Sequence, residues 1–301
     1  MVKFRKPAQR SGDIIDRRGA TGGRRGGMAI GAGGGGIAII IAILFAVLGG
    51  GGGGGLEDIL NQLQPATTAA TETNPLDPAT DPQAEAADFM SVVLDDVQAM
   101  WADIFAQSGR QYQRAELVLF TGVTESGCGG ADSRMGPHYC PLDSRVYLDL
   151  EFFEQLATQF GATGDLAPAY VLSHEIGHHV QNLLGTDDQV RELQQQDPAR
   201  ANDLSVRMEL QADCFAGVWA STVFVGQLET GEDIALEPGE IAEALEAAAA
   251  VGDDRIQETI NGRVDPESFT HGTSEQRQRW FQTGYDSGGD PAVCDTFSGE
   301  V

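Results

Sequence analysis

Basic residues are scarce over most of this 301-residue sequence. Residues 1–27 hold eight basic and two acidic side chains, a net charge of +6, so the remaining residues carry −32 within the total of −26. Because an acidic surface repels phosphates, this composition excludes nucleic acid as a partner. The sequence also lacks a CxxC pair, which excludes the ligand spacing of a zinc knuckle, and it shows no internal repeat.

Apolar residues, by contrast, are plentiful. They make up 41% of the chain, which excludes a wholly disordered protein and allows a sizeable core. Residues 28–48 carry no charge and are strongly apolar from 37 to 48. Since about 20 such residues cross a bilayer, we expect a single transmembrane helix over 28–48. A cleaved signal peptide is the alternative, because the densest apolar stretch is short.

The charges on either side of this segment predict its orientation. By the positive-inside rule, residues 1–27 form a basic cytoplasmic tail. A flexible linker over 49–86, rich first in Gly and then in Pro, Thr and Ala, and a folded domain over 87–301 are then expected outside the cytoplasm. The protein is therefore predicted to be a single-pass membrane protein that contacts lipid through residues 28–48.

The sequence contains four cysteines, Cys128, Cys140, Cys214 and Cys294, all of which follow the apolar segment. An even number of cysteines in an oxidising compartment is typical of two disulfides. The simplest pairing joins Cys128 to Cys140 and Cys214 to Cys294. Four reduced, buried thiols are the alternative, and they would be expected if the orientation in the membrane were reversed.

Hydrophobic periodicity predicts an α+β domain that is mainly helical and has a small mixed sheet. Alternating or continuous apolar residues indicate strands over 115–120 and 145–150. Helices are expected over 89–105, 168–184, 203–225 and 240–250, and around Trp280. Thr273 and Gln276 have the spacing of a capping box at the start of that last helix.

An HExxH motif occupies residues 174–178 of a predicted helix. Residues four apart lie on one helical face, so the imidazoles of His174 and His178 can reach one metal ion. Glu175 is then placed to act on water at the metal. The alternative is that both histidines are solvated polar residues, but their apolar neighbours make that costly.

A metal site of this type needs a third protein ligand. The longer motif HExxHxxGxxH fails, because Gln181 and Leu184 stand where it requires Gly and His. A second predicted helix offers Glu209 as the ligand, with Asp213 one turn further on to accept a hydrogen bond from a ligand histidine. Glu192 is a rival third ligand, but it lies in a polar connector.

These motifs resemble those of a known family, the putative neutral zinc metallopeptidases of bacteria. The likeness covers nearly the whole chain except residues 56–86, and it includes the basic start. It implies a zincin-like fold of the gluzincin type and one Zn²⁺ per chain on His174, His178 and Glu209. The segments that carry it are His174-Glu-Ile-Gly-His178-His-Val-Gln181, Glu209-Leu-Gln-Ala-Asp213-Cys-Phe-Ala-Gly-Val-Trp219 and Phe269-Thr-His-Gly-Thr-Ser274.

The chemistry expected of this site is peptide-bond hydrolysis. With zinc polarising the scissile carbonyl, Glu175 would act as general base on water and then protonate the departing amine. His271 is a candidate donor to the oxyanion, with stabilisation of its loop as the alternative. Strand 145–150 is the candidate edge strand for binding substrate. His179 and His138 are not expected to be ligands.

The sequence therefore predicts a membrane-anchored zinc peptidase whose partners are a peptide or protein substrate and membrane lipid. A different class of protein remains open: a non-catalytic, zinc-stabilised domain outside the cytoplasm that binds peptides or serves as a scaffold. The presence of Glu175 favours the enzyme, because a purely structural zinc site needs no base.

Overall fold

The architecture is known from a computed structural model, which describes residues 2–19, 76–77, 79–161, 164, 166–223, 225, 233–237 and 239–301. It is a mixed α+β fold, mainly helical, as the sequence predicts. Within these residues the helices are α1 (Ala84–Gln107), α2 (Phe152–Phe160), α3 (Ala167–Leu184), α4 (Thr186–Gln196), α5 (Ala201–Thr222), α6 (Glu240–Ala250), α7 (Asp253–Asn261) and α8 (Ser274–Asp286).

The strands form three small sheets among the described residues. They are β1 (Lys3–Phe4), β2 (Ile14–Asp16), β3 (Glu116–Phe120), β4 (Val123–Ser126), β5 (Gly129–Asp132), β6 (His138–Cys140), β7 (Arg145–Asp149) and β8 (Ile234–Ala235). The largest sheet has the order β2-β3-β7-β6. In it β2, β3 and β7 run parallel, and β6 runs antiparallel to β7.

This strand order corrects the prediction that 145–150 is the edge strand. Strand β7 lies between β3 and β6, and its residues 146–149 are buried. Residues 145–147 are therefore paired on both sides, and a substrate could not add to them. The edge strand on that side is β6, whose three residues were not predicted as a strand.

The structure also corrects the prediction of a separate tail over 1–27. Strand β1 pairs with β8, and β2 pairs in parallel with β3 along the register Ile14 to Leu117, Ile15 to Val118 and Asp16 to Leu119. Residues 2–19 are therefore part of the same folded unit as the domain. Sequence periodicity missed this because a two- or three-residue strand carries almost no pattern of its own.

Buried ion pairs explain why basic residues of the N-terminal segment pack against the domain. The side chain of Arg18 is completely buried, and its Nη2 lies 2.7 Å from Asp16 Oδ2 and 2.8 Å from Asp81 Oδ2. Arg10 Nε lies 2.7 Å from Asp88 Oδ1. A buried guanidinium needs such partners, because burying an unpaired charge is costly. Asp81 and Asp88 flank the first turn of α1, so ordered structure begins before residue 87.

The predicted transmembrane helix over 28–48 and most of the linker over 49–86 lie outside the described residues. None of the helices in the part of the chain that the structure describes combines the length and apolar character needed to cross a bilayer.

The HExxH helix, α3, lies at the centre of the core. It packs against α1, α5, α6 and the sheet strands β6 and β7. Leu172, Ile176 and Val180, spaced four residues apart, are fully buried on one face. The helix begins with Pro168 in its first turn and ends at Gly185, whose φ of 79° is the left-handed conformation typical of a helix C-cap.

Helices α5 and α8 make the closest helix contact in the site region. A Cβ atom at Gly217 would overlap the carbonyl oxygen of Phe281, and one at Gly284 would overlap that of Cys214. The two glycines thus allow the helix backbones to touch. Helix α8 opens with the predicted capping box of Thr273 and Gln276, and this close approach brings its first turns beside α5.

The two disulfides pair as predicted. Cys128 is joined to Cys140, which ties the turn between β4 and β5 to the edge strand β6. Cys214 is joined to Cys294, which ties α5 to the C-terminal segment across 80 residues. Both bonds therefore fix segments that border the HExxH helix or its sheet.

Candidate metal centre

Three predicted ligands come together between α3 and α5. The ring centroids of His174 and His178 lie 4.8 Å apart, as expected for one helical turn. Glu209 reaches both rings: its Oε2 lies 3.3 Å from His174 Nε2, and its Oε1 lies 3.5 Å from His178 Nε2. One ligand atom from each residue lies within 4.8 Å of the others.

A glycine on α3 permits this meeting of two helices. An added Cβ at Gly177 would lie 3.1 Å from the backbone of Ala212 on α5. The small residues let the helices approach closely enough for the short reach of a glutamate side chain to span them. Glu192, the rival ligand, is exposed on α4 and accepts a hydrogen bond from Gln196 at 3.1 Å, away from this cluster.

The donor set fits a zinc ion. Two imidazole nitrogens and a carboxylate, with one position left for water, are the ligands of a catalytic zinc site. His178 Nε2 and Glu175 Oε2 are buried and have no hydrogen-bond partner among the described residues. Buried polar atoms without partners are rare, and a cation and its water would satisfy both.

The other ring nitrogens hold both imidazoles in place. His174 Nδ1 donates to Asp213 Oδ1 at 2.8 Å, the hydrogen bond expected from the spacing of Asp213. His178 Nδ1 donates to Gln181 Oε1 at 2.8 Å, and the Gln181 amide donates to Met208 O at 2.8 Å. With both Nδ1 atoms engaged, both Nε2 atoms face the metal position. Sequence reasoning used Gln181 only to reject a longer motif.

Opposite charges stabilise the carboxylate of Glu209. Burial raises its pKa, but the charge of His178 and the hydrogen bond from His174 outweigh burial, and the net pKa lies well below its usual range. For His178, burial lowers the pKa, while Glu209 and Glu175 outweigh it and raise the pKa to about 10. A bound cation replaces the proton in such a pair, so metal binding releases protons.

Asp213 is the centre of a fully buried network. Besides His174 it accepts hydrogen bonds from the Tyr170 hydroxyl at 2.6 Å and from Arg277 Nε and Nη2 at 2.8 and 2.9 Å. Burial raises the pKa of Asp213, but Arg277 and His174 outweigh it and lower the net pKa. Asp213 therefore stays ionised and holds His174 as a donor at Nδ1.

Sequence reasoning missed both other members of this network. Tyr170 stands four residues before His174, so its place on the same helical face offered a signal. Arg277 offered none, because it comes from α8, more than 60 residues after Asp213. Only the close packing of α8 on α5 brings it there.

His271 is also brought to the site region. It is buried, and its charge contributes to the low pKa of Glu209. Its Nδ1 donates to Asp253 Oδ1 at 3.1 Å, and Asp253 Oδ2 accepts the backbone N–H groups of Thr270, His271 and Gly272. Asp253, at the start of α7, was not predicted, since nothing in its local sequence marks it.

The remaining two histidines contact residues of the largest sheet. His179 Nε2 donates to Gln113 O at 2.6 Å, and its Nδ1 lies 2.9 Å from the Tyr139 hydroxyl, so it is turned away from the metal position as predicted. His138 belongs to the edge strand β6 rather than to a loop, and its ring stacks on Tyr147 with centroids 5.3 Å apart.

Fold and site together define a class: an α+β protein with a buried His-His-Glu cluster on two helices beside a small mixed sheet. The chain belongs to the family described as putative neutral zinc metallopeptidase, whose sequence model matches residues 3–297. That match includes the N-terminal strands.

The curated relatives are themselves uncharacterised. Uncharacterized protein YpfJ of Escherichia coli (strain K12) is 51% identical over 218 residues, which cover 72% of this chain and 73% of that protein. Uncharacterized protein Mb2605 of Mycobacterium bovis is 48% identical over 206 residues, 67% of each chain. No solved structure matches this chain.

Proposed function

We propose that this protein is a zinc-dependent peptidase that holds one Zn²⁺ on His174, His178 and Glu209. The observation that carries the proposal is the position of Glu175: its Oε2 is buried, has no hydrogen-bond partner within the described part of the chain, and lies in the same helical turn as two candidate metal ligands. A carboxylate in that place suits a base that acts on water. The family's description supports zinc and peptidase activity.

The chain's own residues supply the proton transfers. Zinc in this site would polarise the scissile carbonyl and make water a better nucleophile near neutral pH. Glu175 takes the proton of the attacking water and then gives it to the departing amine. Asp213 and Gln181 keep the two histidines oriented throughout.

His271 is our candidate donor to the oxyanion. Its Nδ1 lies 3.1 Å from Asp253 Oδ1, so Nε2 is the ring nitrogen that we propose for contact with the substrate. A proton on Nε2 would be donated to the negative charge that develops on the carbonyl oxygen. The role proposed for Asp253 is to orient the ring.

The substrate class we propose is an extended peptide or unfolded protein segment. Strand β6 pairs with β7 along one edge, and no described strand pairs with its other edge. An extended chain can add to such an edge through backbone hydrogen bonds. Because β6 packs on α3, a strand added there would pass close to Glu175 and the ligands.

The same features support a zincin-like fold of the gluzincin type. An HExxH helix lies beneath a mixed sheet with one antiparallel edge strand, and a second helix supplies a glutamate ligand. The two disulfides support a location of the domain in an oxidising compartment. Lipid contact through residues 28–48 is part of the proposal.

The test uses the full chain and an unfolded protein substrate such as casein. We expect about one zinc per chain, loss of turnover with a chelator, and a loss of about 10²–10⁴-fold in Glu175→Gln with zinc retained. Glu192→Gln, the exposed acid on α4, is the matched control and should keep full activity. Full activity of Glu175→Gln would overturn the mechanism. Zinc binding by the wild type without turnover of any peptide would favour the non-catalytic scaffold.

A further inference from the structure

Strand β6 is too short to be held in place by its sheet alone. It has three residues, and its pairing with β7 extends only from His138 to Cys140. A strand of this length contributes few backbone hydrogen bonds, so its position over α3 must be fixed by side chains. The disulfide at Cys140 holds one end, and Tyr139 reaches from the middle of the strand to α3.

The hydrogen bonds of Tyr139 have a defined direction. Gln113 O can only accept, so the His179 Nε2 atom that lies 2.6 Å from it carries a proton. In the tautomer whose proton lies on Nε2, His179 Nδ1 is an acceptor. The Tyr139 hydroxyl then donates to His179 Nδ1 at 2.9 Å and accepts from Asn182 Nδ2 at 2.9 Å.

This arrangement leaves the Tyr139 hydroxyl with both a donor and an acceptor partner on one helix. His179 follows the ligand His178 directly, and Asn182 lies four residues after His178, so the residues of α3 that hold the edge strand are next to the metal ligands. The His179 ring is also packed edge-on against Tyr112, with centroids 5.6 Å apart.

We propose that Tyr139, His179 and Asn182 form a clamp that positions the edge strand relative to the metal centre and thereby sets where an extended substrate lies. The proposal rests on the proposed peptidase function for its effect on substrate. Its physical part, the attachment of β6 to α3, stands apart from any activity. The three are positioning residues, because they act through β6.

Tyr139→Phe tests the clamp, since it removes one hydroxyl and keeps the ring. Tyr112→Phe is the matched control: it also removes the hydroxyl of a tyrosine that packs on His179, but that hydroxyl donates to Gln98 Oε1 at 3.3 Å rather than to a residue of β6. In hydrogen exchange, the β6 amides should exchange about tenfold faster in Tyr139→Phe, and those around His174 should not change. Unchanged exchange in β6 would overturn the clamp.

Kinetics on the zinc-loaded protein test its effect on substrate. For a peptide long enough to pair with β6, Tyr139→Phe should lower kcat/KM about tenfold, mostly through KM, the effect of one lost buried hydrogen bond. For a short substrate that spans only the scissile bond, the change should be under twofold. Equal losses on both substrates would contradict a positioning role. If the wild type cleaves neither, the proposed function fails, while the exchange result still decides the clamp.

A second inference rests on the N-terminal strands alone. Residues 2–19 contribute two strands to the fold, and the Arg18 guanidinium is buried between Asp16 and Asp81. A buried ion pair of this kind forms only when both partners fold together. We infer that residues 2–19 and the domain over 81–301 lie in the same compartment.

This inference departs from the orientation predicted from charge. A single crossing by residues 28–48 would put residues 2–19 and the domain on opposite sides of a membrane, where β2 could not pair with β3. The positive-inside rule considers charge next to an apolar segment and takes no account of folding. Here Arg10 and Arg18 of the predicted tail have partners in the domain.

Thiol labelling in spheroplasts tests this. Gln9 and Gln107 are exposed and lie on the N-terminal segment and on α1 of the domain. The variants Gln9→Cys and Gln107→Cys, with the wild-type chain as background, are treated with a membrane-impermeant maleimide before and after detergent. Both sites should react alike, with labelling before detergent if the compartment is outside the cytoplasm. Labelling of one site without detergent and of the other only after it would overturn the inference.

Discussion

Replacing Arg277 with alanine should show how strongly the buried network supports the metal centre. Arg277 is 3% exposed and binds both carboxylate oxygens of Asp213, at 2.8 and 2.9 Å. It also donates to Val251 O at 3.1 Å and to the Tyr170 hydroxyl at 3.2 Å. In Arg277→Ala, Asp213 would keep its charge and its burial but lose the guanidinium that pairs with both of its oxygens.

The size of the effect follows from that unpaired charge. Removing one member of a buried ion pair typically costs about 3–5 kcal/mol of unfolding free energy. In a domain of this size, 1 kcal/mol corresponds to about 2–4 °C in Tm, so the metal-free variant should melt roughly 6–20 °C lower. Because Asp213 orients His174, zinc affinity should also fall, by about 10–100-fold.

Two measurements and two controls decide this. Urea denaturation in the presence of a chelator gives the unfolding free energy, and competition with a chelating dye gives the zinc affinity. Arg277→Lys keeps the charge but loses the paired geometry, so it should fall between wild type and alanine. Arg279→Ala, an exposed arginine on the same helix, should change neither quantity. A fully stable Arg277→Ala with normal zinc affinity would refute the role assigned to the network.

Three further predictions concern stability. Replacing Cys214 and Cys294 with serine opens a loop of 80 residues and should lower the unfolding free energy by about 4–5 kcal/mol in non-reducing urea titrations; a loss below 1 kcal/mol would contradict the chain-entropy argument. Gly217→Ala should cost about 2–3 kcal/mol by the same assay, because its methyl group meets a backbone carbonyl of α8 that cannot move aside; an unchanged midpoint would show that the helices separate freely. Burial raises the pKa of Asp253, but His271 and backbone amides outweigh burial and lower the net pKa below the ordinary 3.8. The ionised Asp253 therefore stabilises the fold above that pH. The free energy of unfolding should fall as the pH drops through this range, and less steeply in Asp253→Asn.

Local spacing was enough to find the centre of the site. The paired residues in HExxH and ExxxD are four apart, close to one helical turn, so each pair lies on one face whatever the surrounding fold. That is why the sequence could identify His174, His178, Glu209 and Asp213 as a group. The disulfide pairing could also be predicted from the sequence, because four cysteines can pair in only three ways and one of these joins cysteines that follow each other along the chain.

The edge strand and the N-terminus show where such reasoning stops. Strand 145–150 has the stronger β pattern and was taken as the edge, yet a strand's neighbours depend on chain topology and not on its own residues. Residues 2–19 were predicted to form part of a basic tail, because a count of charges does not show which residues the charged side chains contact. Arg10 and Arg18 find theirs in acids more than 60 residues away.

The sequence by itself determined the elements whose physics is local: the helices, the ligand spacing along them and the cap of α8. The tertiary structure decided everything that requires two distant segments to meet. Arg277 on Asp213, Asp253 on His271, Tyr139 on α3 and the N-terminal strands in the sheet all depend on packing between elements. Such contacts leave no periodic trace in the sequence, because their geometry is set by the relative placement of whole helices and strands.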